Sequence, residues 1–170
     1  AHAAPIAIDF GSGETTGGGP TSVYSEDGFN FTPASTPSSS ICPGDAPCLR
    51  LNNGNFNDVH LTFDGGVFDL RGFSVDFSAQ GQGNPPTLTV TGLDGSDSEI
   101  ASDVFDISDE VVISFASGEF DGVSKIRFTQ NGAGTVRIDD LHVTPLPAAL
   151  PLFAAGVAGL AWARRRRARG

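Results

Sequence analysis

Short alternations of apolar and polar residues run along the chain from about Pro5 to Val143 and predict many short β-strands. Successive side chains of a strand point to opposite faces, so this alternation is typical of strands with one buried face. The period of an amphipathic helix is not seen over these residues. The clearest alternations cover residues 59–63, 72–77, 87–92, 110–115, 124–130 and 135–143, and weaker ones begin near residues 6, 24, 48, 66 and 104.

Turn-forming residues separate the predicted strands, in stretches such as "NNGN", "LDGSDS" and "NGAG". Gly, Asn and Asp tolerate positive φ, which tight turns require. Roughly ten strands at a spacing of about 8–12 residues predict a jelly-roll-like β-sandwich, an all-β fold. We assign it to residues 5–143 as one domain, and we expect residues 11–20 and 32–47 to be loops.

An uncharged stretch near the C-terminus, residues 146–163, is followed by an arginine cluster at 164–169. As a helix, 18 residues span about 27 Å, close to the hydrocarbon thickness of a bilayer. The sequence therefore predicts a single transmembrane helix with the arginines on the cytoplasmic side. A buried helix of a soluble domain is the alternative. The residues expected to anchor the helix at the membrane boundary are Trp162, Arg164, Arg165, Arg166 and Arg167.

The N-terminus and the cysteines indicate export. The sequence contains no Met, and Ala1-His2-Ala3 has the small-x-small form left by signal peptidase, so we expect residues 1–4 to be the remnant of a signal peptide. A trimmed sequence is the alternative. Cys42 and Cys48 lie close together in "ICPGDAPCLR", which suits a small disulfide loop in an oxidising compartment.

The charge is distributed very unevenly along the chain. Before residue 164, 20 acidic residues stand against five basic ones, a formal charge of about −15, whereas the whole chain carries −10. This acidic body repels phosphate backbones, so nucleic-acid binding is not expected.

The C-terminal residues 144–170 resemble the PEP-CTERM class of sorting signals of Gram-negative bacteria, in the VPLPA-CTERM variant. The order is a proline motif, a membrane helix and an arginine cluster. Pro145, Leu146, Pro147 and Ala148 match the motif, and Thr144 departs from it. The resemblance implies cleavage by an exosortase-type membrane enzyme. The ectodomain would then lie in the periplasm, or at the cell surface or outside the cell after processing. A single-span anchor without processing is the competing interpretation.

The body is similar to the jelly rolls often found before such tails, and loosely to carbohydrate-binding modules, in its last strand from Val136. That likeness implies a structural Ca²⁺, held by carboxylates of the first and last strands, since hard oxygen ligands are what Ca²⁺ requires. An ordinary solvated edge in an Asp-rich chain is the alternative. The ligand candidates are Asp9, Glu26, Asp27, Asp139 and Asp140.

Catalysis has little support in the sequence. His2, His60 and His142 are scattered, and no nucleophile–base motif can be read, so we do not expect an enzyme. The body has no Trp and only Tyr24, and its Phe residues are expected to face the core, so an aromatic platform for stacking on sugars is not expected. Sugar binding through hydrogen bonds from loop residues is the alternative, and residues 51–59 are the candidates.

Three functions follow from these observations. The first is an exported, non-catalytic protein of the cell surface or extracellular matrix, with a structural or adhesive role. The second is a carbohydrate-binding module for exopolysaccharide, either with or without a dependence on Ca²⁺. The third is an accessory subunit whose single helix joins a larger membrane protein complex.

Overall fold

The alternating segments form antiparallel strands in the computed structural model, which describes residues 4–34, 42, 47–52, 57–78 and 85–146. A short 3₁₀ turn, Gly19–Thr21, lies between the second and third strands. In chain order the strands within these residues are β1 Ile6–Ile8, β2 Glu14–Thr16, β3 Val23–Glu26, β4 Phe29–Thr32, β5 Leu49–Asn52, β6 Asp58–Phe63, β7 Phe68–Ser78, β8 Thr87–Leu93, β9 Glu99–Asp106, β10 Val111–Ser114, β11 Lys125–Asn131 and β12 Thr135–Pro145.

Two sheets make up the sandwich. The five-stranded sheet has the order β1-β12-β7-β10, with β5 also paired to β12. The seven-stranded sheet has the order β2-β3-β4-β6-β11-β8-β9. This arrangement confirms the predicted all-β sandwich.

The core lies between the inward faces of the two sheets and is rich in phenylalanine. Phe29 stacks on Phe63 with ring centroids 4.6 Å apart, and Phe73 meets Phe128 edge to face at 5.6 Å. Burying such a side chain contributes about 1.5–3 kcal/mol. The described phenylalanines are buried or packed against this core, as the alternation predicts.

The six clearest predicted strands all correspond to observed strands, but two details differ. First, the glycine-rich stretch 11–20 is not all loop, because Glu14–Thr16 pairs with β3 at the sheet edge. Second, β7 continues through Gly72, which the sequence places at the start of a strand. A Cβ atom on Gly72 would lie 2.4 Å from the Ile113 carbonyl oxygen of β10, so only glycine lets these two strands pair so closely.

The last strand contains a bulge and extends beyond its predicted end. Ile138 and Leu141 both belong to the core, so Asp139 and Asp140 occupy the bulge between them. The strict alternation that the sequence predicts is therefore broken at this bulge. Asp140 has a φ of +48° there. The strand runs to Pro145, two residues past the predicted domain boundary.

The predicted disulfide is present: Cys42 and Cys48 are bonded, with Cα atoms 5.6 Å apart. Cys48 is fully buried just before β5, so the disulfide links Cys42 to the core.

The predicted transmembrane helix and arginine cluster lie almost entirely outside the described residues. Of the proline motif, Pro145 and Leu146 are described and Pro147 and Ala148 are not. Among the residues that the structure covers, no helix has the length and apolar character needed to cross a bilayer.

Replacing both cysteines by alanine is expected to lower the free energy of unfolding. The two residues are six positions apart, and closing so short a loop contributes about 2 kcal/mol in the chain-entropy account. Urea unfolding with and without dithiothreitol measures this. The reductant should destabilise only the wild type, and equal stability of both proteins in oxidising buffer would contradict the expectation.

Candidate functional site

The outer face of the seven-stranded sheet is lined by polar side chains. Along β4, β6 and β11 the buried residues, such as Phe31, Leu61 and Phe128, alternate with partly exposed ones that point away from the core. The strand register aligns these outward residues across five strands. We call the residues aligned at the middle of the sheet the central row: Thr32, His60, Arg127, Thr91 and Ser102, of which Thr91 is buried.

Two further rows flank the central row. On one side Asp58, Thr129, Thr89 and Val104 are aligned, and the Thr129 hydroxyl donates to Asp58 Oδ1. The other flanking row contains the outward residues Ser25, Asn30, Thr62 and Lys125. In this row Ser25 Oγ donates to Asn30 Oδ1 at 2.6 Å.

Two nitrogens of the central row have unmet hydrogen-bonding capacity. His60 Nδ1 and Arg127 Nε are buried and have no hydrogen-bond partner among the described residues. The two residues are directly opposite on β6 and β11, and such pairs have Cβ atoms about 4.5–5.5 Å apart. A buried polar group without a partner costs about 1–3 kcal/mol, so a ligand that supplies an acceptor to Arg127 Nε and a matching group to His60 Nδ1 would recover part of that cost.

The His60 imidazole is held in its neutral form. Burial lowers its pKa below the ordinary value of 6.5, and the positive charge of Lys125 lowers it further. Asp58 opposes this, and Arg127 adds a lesser lowering effect. At neutral pH the ring therefore carries one N–H donor and one acceptor. The neutral ring adds hydrogen-bonding capacity next to Arg127 without adding charge.

An aliphatic strip borders this polar face. Ile100 and Val104 of β9 are 51% and 64% exposed, and Val104 is aligned with Thr89 of β8. Ala101 and Phe105 of the same strand pack on the core, so Val104 points to the outer face. The face therefore combines hydroxyl groups with exposed aliphatic surface.

Of the predicted calcium ligands, the structure brings Asp9 and Glu26 together. Glu26 is only 6% exposed, and its carboxylate accepts hydrogen bonds from Tyr24 Oη at 2.5 Å and Ser12 Oγ at 3.1 Å. Burial raises the pKa of Glu26, and the neighbouring Asp9 carboxylate raises it as well, although the two hydroxyl donors oppose this. Burial and the Glu26 contact likewise raise the pKa of Tyr24.

The other calcium candidates occupy a turn and a bulge. Asp27 is exposed in the two-residue turn between β3 and β4, where it and Gly28 have φ values of +51° and +81°, as a tight hairpin requires. Asp139 and Asp140 occupy the β12 bulge, where Asp139 Oδ1 accepts the Asp140 backbone N–H at 2.9 Å.

No three His, Cys, Asp or Glu side chains of the described residues form a group suited to a metal ion. Because Ca²⁺ takes about six to eight oxygen ligands, the Asp9–Glu26 pair alone does not make a complete site. The calcium site stays a prediction.

Sequence reasoning missed the central row. The alternation in "VHLTF" and "SKIRFTQ" indicates that His60 and Arg127 point away from the core, but it does not show that they are neighbours. That requires the β6–β11 register, which is a contact between distant parts of the chain. Of residues 51–59, which the sequence offers as polar ligands, 51–52 belong to β5 and 58–59 to β6, and positions 53–56 lie outside the described residues.

Several solved structures share the fold. A tyrosine-to-alanine variant of a family 29 carbohydrate-binding module is 14% identical with a TM-score of 0.50, covering 84% of this chain and 92% of that one. A DUF4465 family protein from Bacteroides caccae is 14% identical with a TM-score of 0.45, covering 84% and 93%. A family 22 xylan-binding domain from Paenibacillus barcinonensis is 13% identical with a TM-score of 0.44, covering 87% and 98%.

At these identities the likeness concerns the fold alone, a β-sandwich of the kind found in carbohydrate-binding modules. No protein-family model matches the chain, and no curated protein sequence matches it.

Replacing Glu26 by Gln is expected to remove a pH-dependent loss of stability. Because the folded-state pKa of Glu26 is raised, the folded protein holds more protons than the unfolded chain. The wild type therefore loses stability as pH rises from about 4.5, the ordinary glutamate value, through the raised value.

Chemical denaturation between pH 4 and 8 measures this effect as the difference between the two proteins. As pH rises, the free energy of unfolding of Glu26→Gln should increase relative to that of the wild type. Glu14→Gln, a change at an exposed glutamate of β2, is the matched control. A constant difference across this range would contradict the assignment.

Proposed function

We propose that the protein is an exported, non-catalytic protein whose β-sandwich binds polysaccharide through the outer face of the seven-stranded sheet. The observation that carries the proposal is the composition of that face: hydroxyl and amide side chains in aligned rows, two buried nitrogens without partners, and an aliphatic strip at the edge.

The chemistry of the face suits a sugar. A pyranose ring presents C–H groups on its faces and hydroxyl groups around its rim. The partly exposed Thr32 and Thr89 offer hydroxyls that both donate and accept hydrogen bonds. Val104 and Ile100 offer aliphatic surface for the C–H groups, which contributes roughly 25 cal/mol per Å² of apolar area buried.

The extended shape of the face favours a chain of sugars over a single one. Aligned rows cross β4, β6, β11, β8 and β9, and neighbouring strands lie about 4.8 Å apart. Four strand spacings therefore cover about 19 Å, enough to contact several consecutive residues of a polysaccharide.

Weak binding of polysaccharide is expected, because the described residues offer no aromatic platform. Tyr24 is 2% exposed, and the described phenylalanines pack on the core, so within the described residues no aromatic ring is free to stack on a sugar. Binding then depends on hydrogen bonds and aliphatic contact, and we expect dissociation constants nearer 1 mM than 1 μM, about −4 to −6 kcal/mol.

The C-terminal sorting signal completes the proposal. We infer that residues 144–170 direct the sandwich to the outer side of the cytoplasmic membrane of a Gram-negative bacterium. There an exosortase-type enzyme cuts near the proline motif. The proposal is supported by the order of motif, apolar stretch and arginine cluster, and by the disulfide, which suits an oxidising compartment.

Val104→Asp is expected to weaken polysaccharide binding about tenfold, because it removes aliphatic surface and adds a charge on the proposed face. Val112→Asp on β10 is the matched control, since Val112 is 67% exposed and Val104 is 64% exposed, on different sheets. Affinity electrophoresis against neutral and acidic polysaccharides measures both variants. Equal retardation of both variants and wild type would place binding elsewhere, and no retardation by any polysaccharide would refute the proposed function.

Processing of the tail predicts a shortened protein in the native host. Intact mass spectrometry should find a protein that ends near residue 147 in place of the full 17.5 kDa chain. Pro147→Ala should increase the fraction of full-length protein in the membrane. A full-length chain as the sole form in the wild type would contradict sorting and favour a permanent anchor.

A further inference from the structure

Carboxylates form ion pairs with most of the basic side chains of the described residues. In these pairs a carboxylate oxygen lies 2.5–2.7 Å from a guanidinium or ammonium nitrogen. The ion pairs join Arg71 to Asp69 and Asp121, Lys125 to Asp97, and Arg137 to Asp76.

Arg127 differs from these residues. It forms no ion pair with any described carboxylate, and its Nε is buried without an acceptor. The chain has 20 acidic residues, so an arginine without one of them as partner is unexpected on composition alone. Asp58, the carboxylate in the adjacent row, already accepts the Thr129 hydroxyl.

The guanidinium group matches one kind of ligand particularly well. Its planar donors fit the two oxygens of a carboxylate or sulfate, and such charge-assisted hydrogen bonds are roughly twice as strong as neutral ones. The neutral His60 ring next to it provides one N–H donor for the same ligand.

We propose that the central row binds an anionic oxygen group, a carboxylate or sulfate, carried by an acidic polysaccharide, with Arg127 as the charged contact and His60 beside it. This inference rests on the proposed function and specifies its ligand class. The hydroxyl of Thr32, aligned with His60 on β4, contacts an adjoining sugar hydroxyl, whereas Thr91 on the other side of the pair is buried.

The attraction acts only at short range. The body of the protein carries about −15, so a polyanion is repelled until it reaches the face. At physiological salt the Debye length is about 8 Å, which screens that repulsion but leaves the contact at Arg127 in place. Specificity therefore comes from this one contact, and we expect acidic polymers that cannot place a charge there to bind poorly.

Oligogalacturonate and the same oligosaccharide with its carboxylates reduced to alcohols test the proposal as a matched ligand pair. Titration calorimetry on the full chain should show binding of the acid at least about tenfold tighter than of the reduced form. Dextran sulfate and unmodified dextran repeat the comparison for sulfate and show which anion is preferred.

Arg127→Gln should abolish the difference between acid and reduced ligand. Arg71→Gln is the matched control, because it removes one positive charge from β7 of the other sheet, from a side chain already paired with Asp69 and Asp121. Equal loss in both variants would mean that only net charge matters, and would overturn the proposal.

The binding results for these ligands distinguish failure of this inference from failure of the proposed function. Equal binding of acid and neutral ligands to the wild type overturns the inference and leaves the proposed function intact. No binding of any of the four ligands overturns both.

A measurement on the wild type does not depend on how well a variant folds. The His60 ring resonances, assigned with His60→Gln, should shift on addition of oligogalacturonate and stay unchanged with the reduced form. Unchanged resonances under saturating acid ligand would overturn the proposed place of binding.

Discussion

Strand β12 pairs with β1, β5 and β7 in one sheet, and the rest of the sandwich depends on this set of backbone hydrogen bonds. It joins segments from the beginning, middle and end of the described chain. Its inward side chains, Val136, Ile138, Leu141 and Val143, are fully buried in the core. A sheet assembled from such distant segments forms only when the chain closes long loops, so its stability depends on apolar burial and not on local preference.

The same core explains why a binding surface on this protein has to be polar and aliphatic. The described aromatic side chains are used to fill the space between the sheets, and Tyr24 places even its hydroxyl inside, against Glu26. Strict alternation along β6 and β11 then leaves His60, Arg127 and the threonines for the outer face. Core and candidate site are thus two faces of the same strands, and the pattern that gives one also gives the other.

Much of this fold follows from local sequence, whereas the candidate site does not. The alternation at Val59–Phe63 and Thr87–Gly92 identifies strands because burial on one face is a local property. Two features depend on partners far along the chain: the bulge at Asp139–Asp140 and the His60–Arg127 neighbours. The clustering of Asp9 with Glu26 was expected from a family likeness, but Asp27 serves the hairpin turn, and Asp139 and Asp140 lie in the bulge.

The end of β12 also constrains the proposed processing. Pro145 is aligned with Phe68, and the Leu146 backbone N–H donates to the Val67 carbonyl at 3.0 Å. The first half of the proline motif is therefore part of the sheet. A protease or transpeptidase needs an extended segment free of other backbone partners, so cleavage within Pro145–Leu146 would require the strand end to open. If the tail is cut while the sandwich is folded, the cut falls after Leu146, and the released sandwich keeps β12 whole.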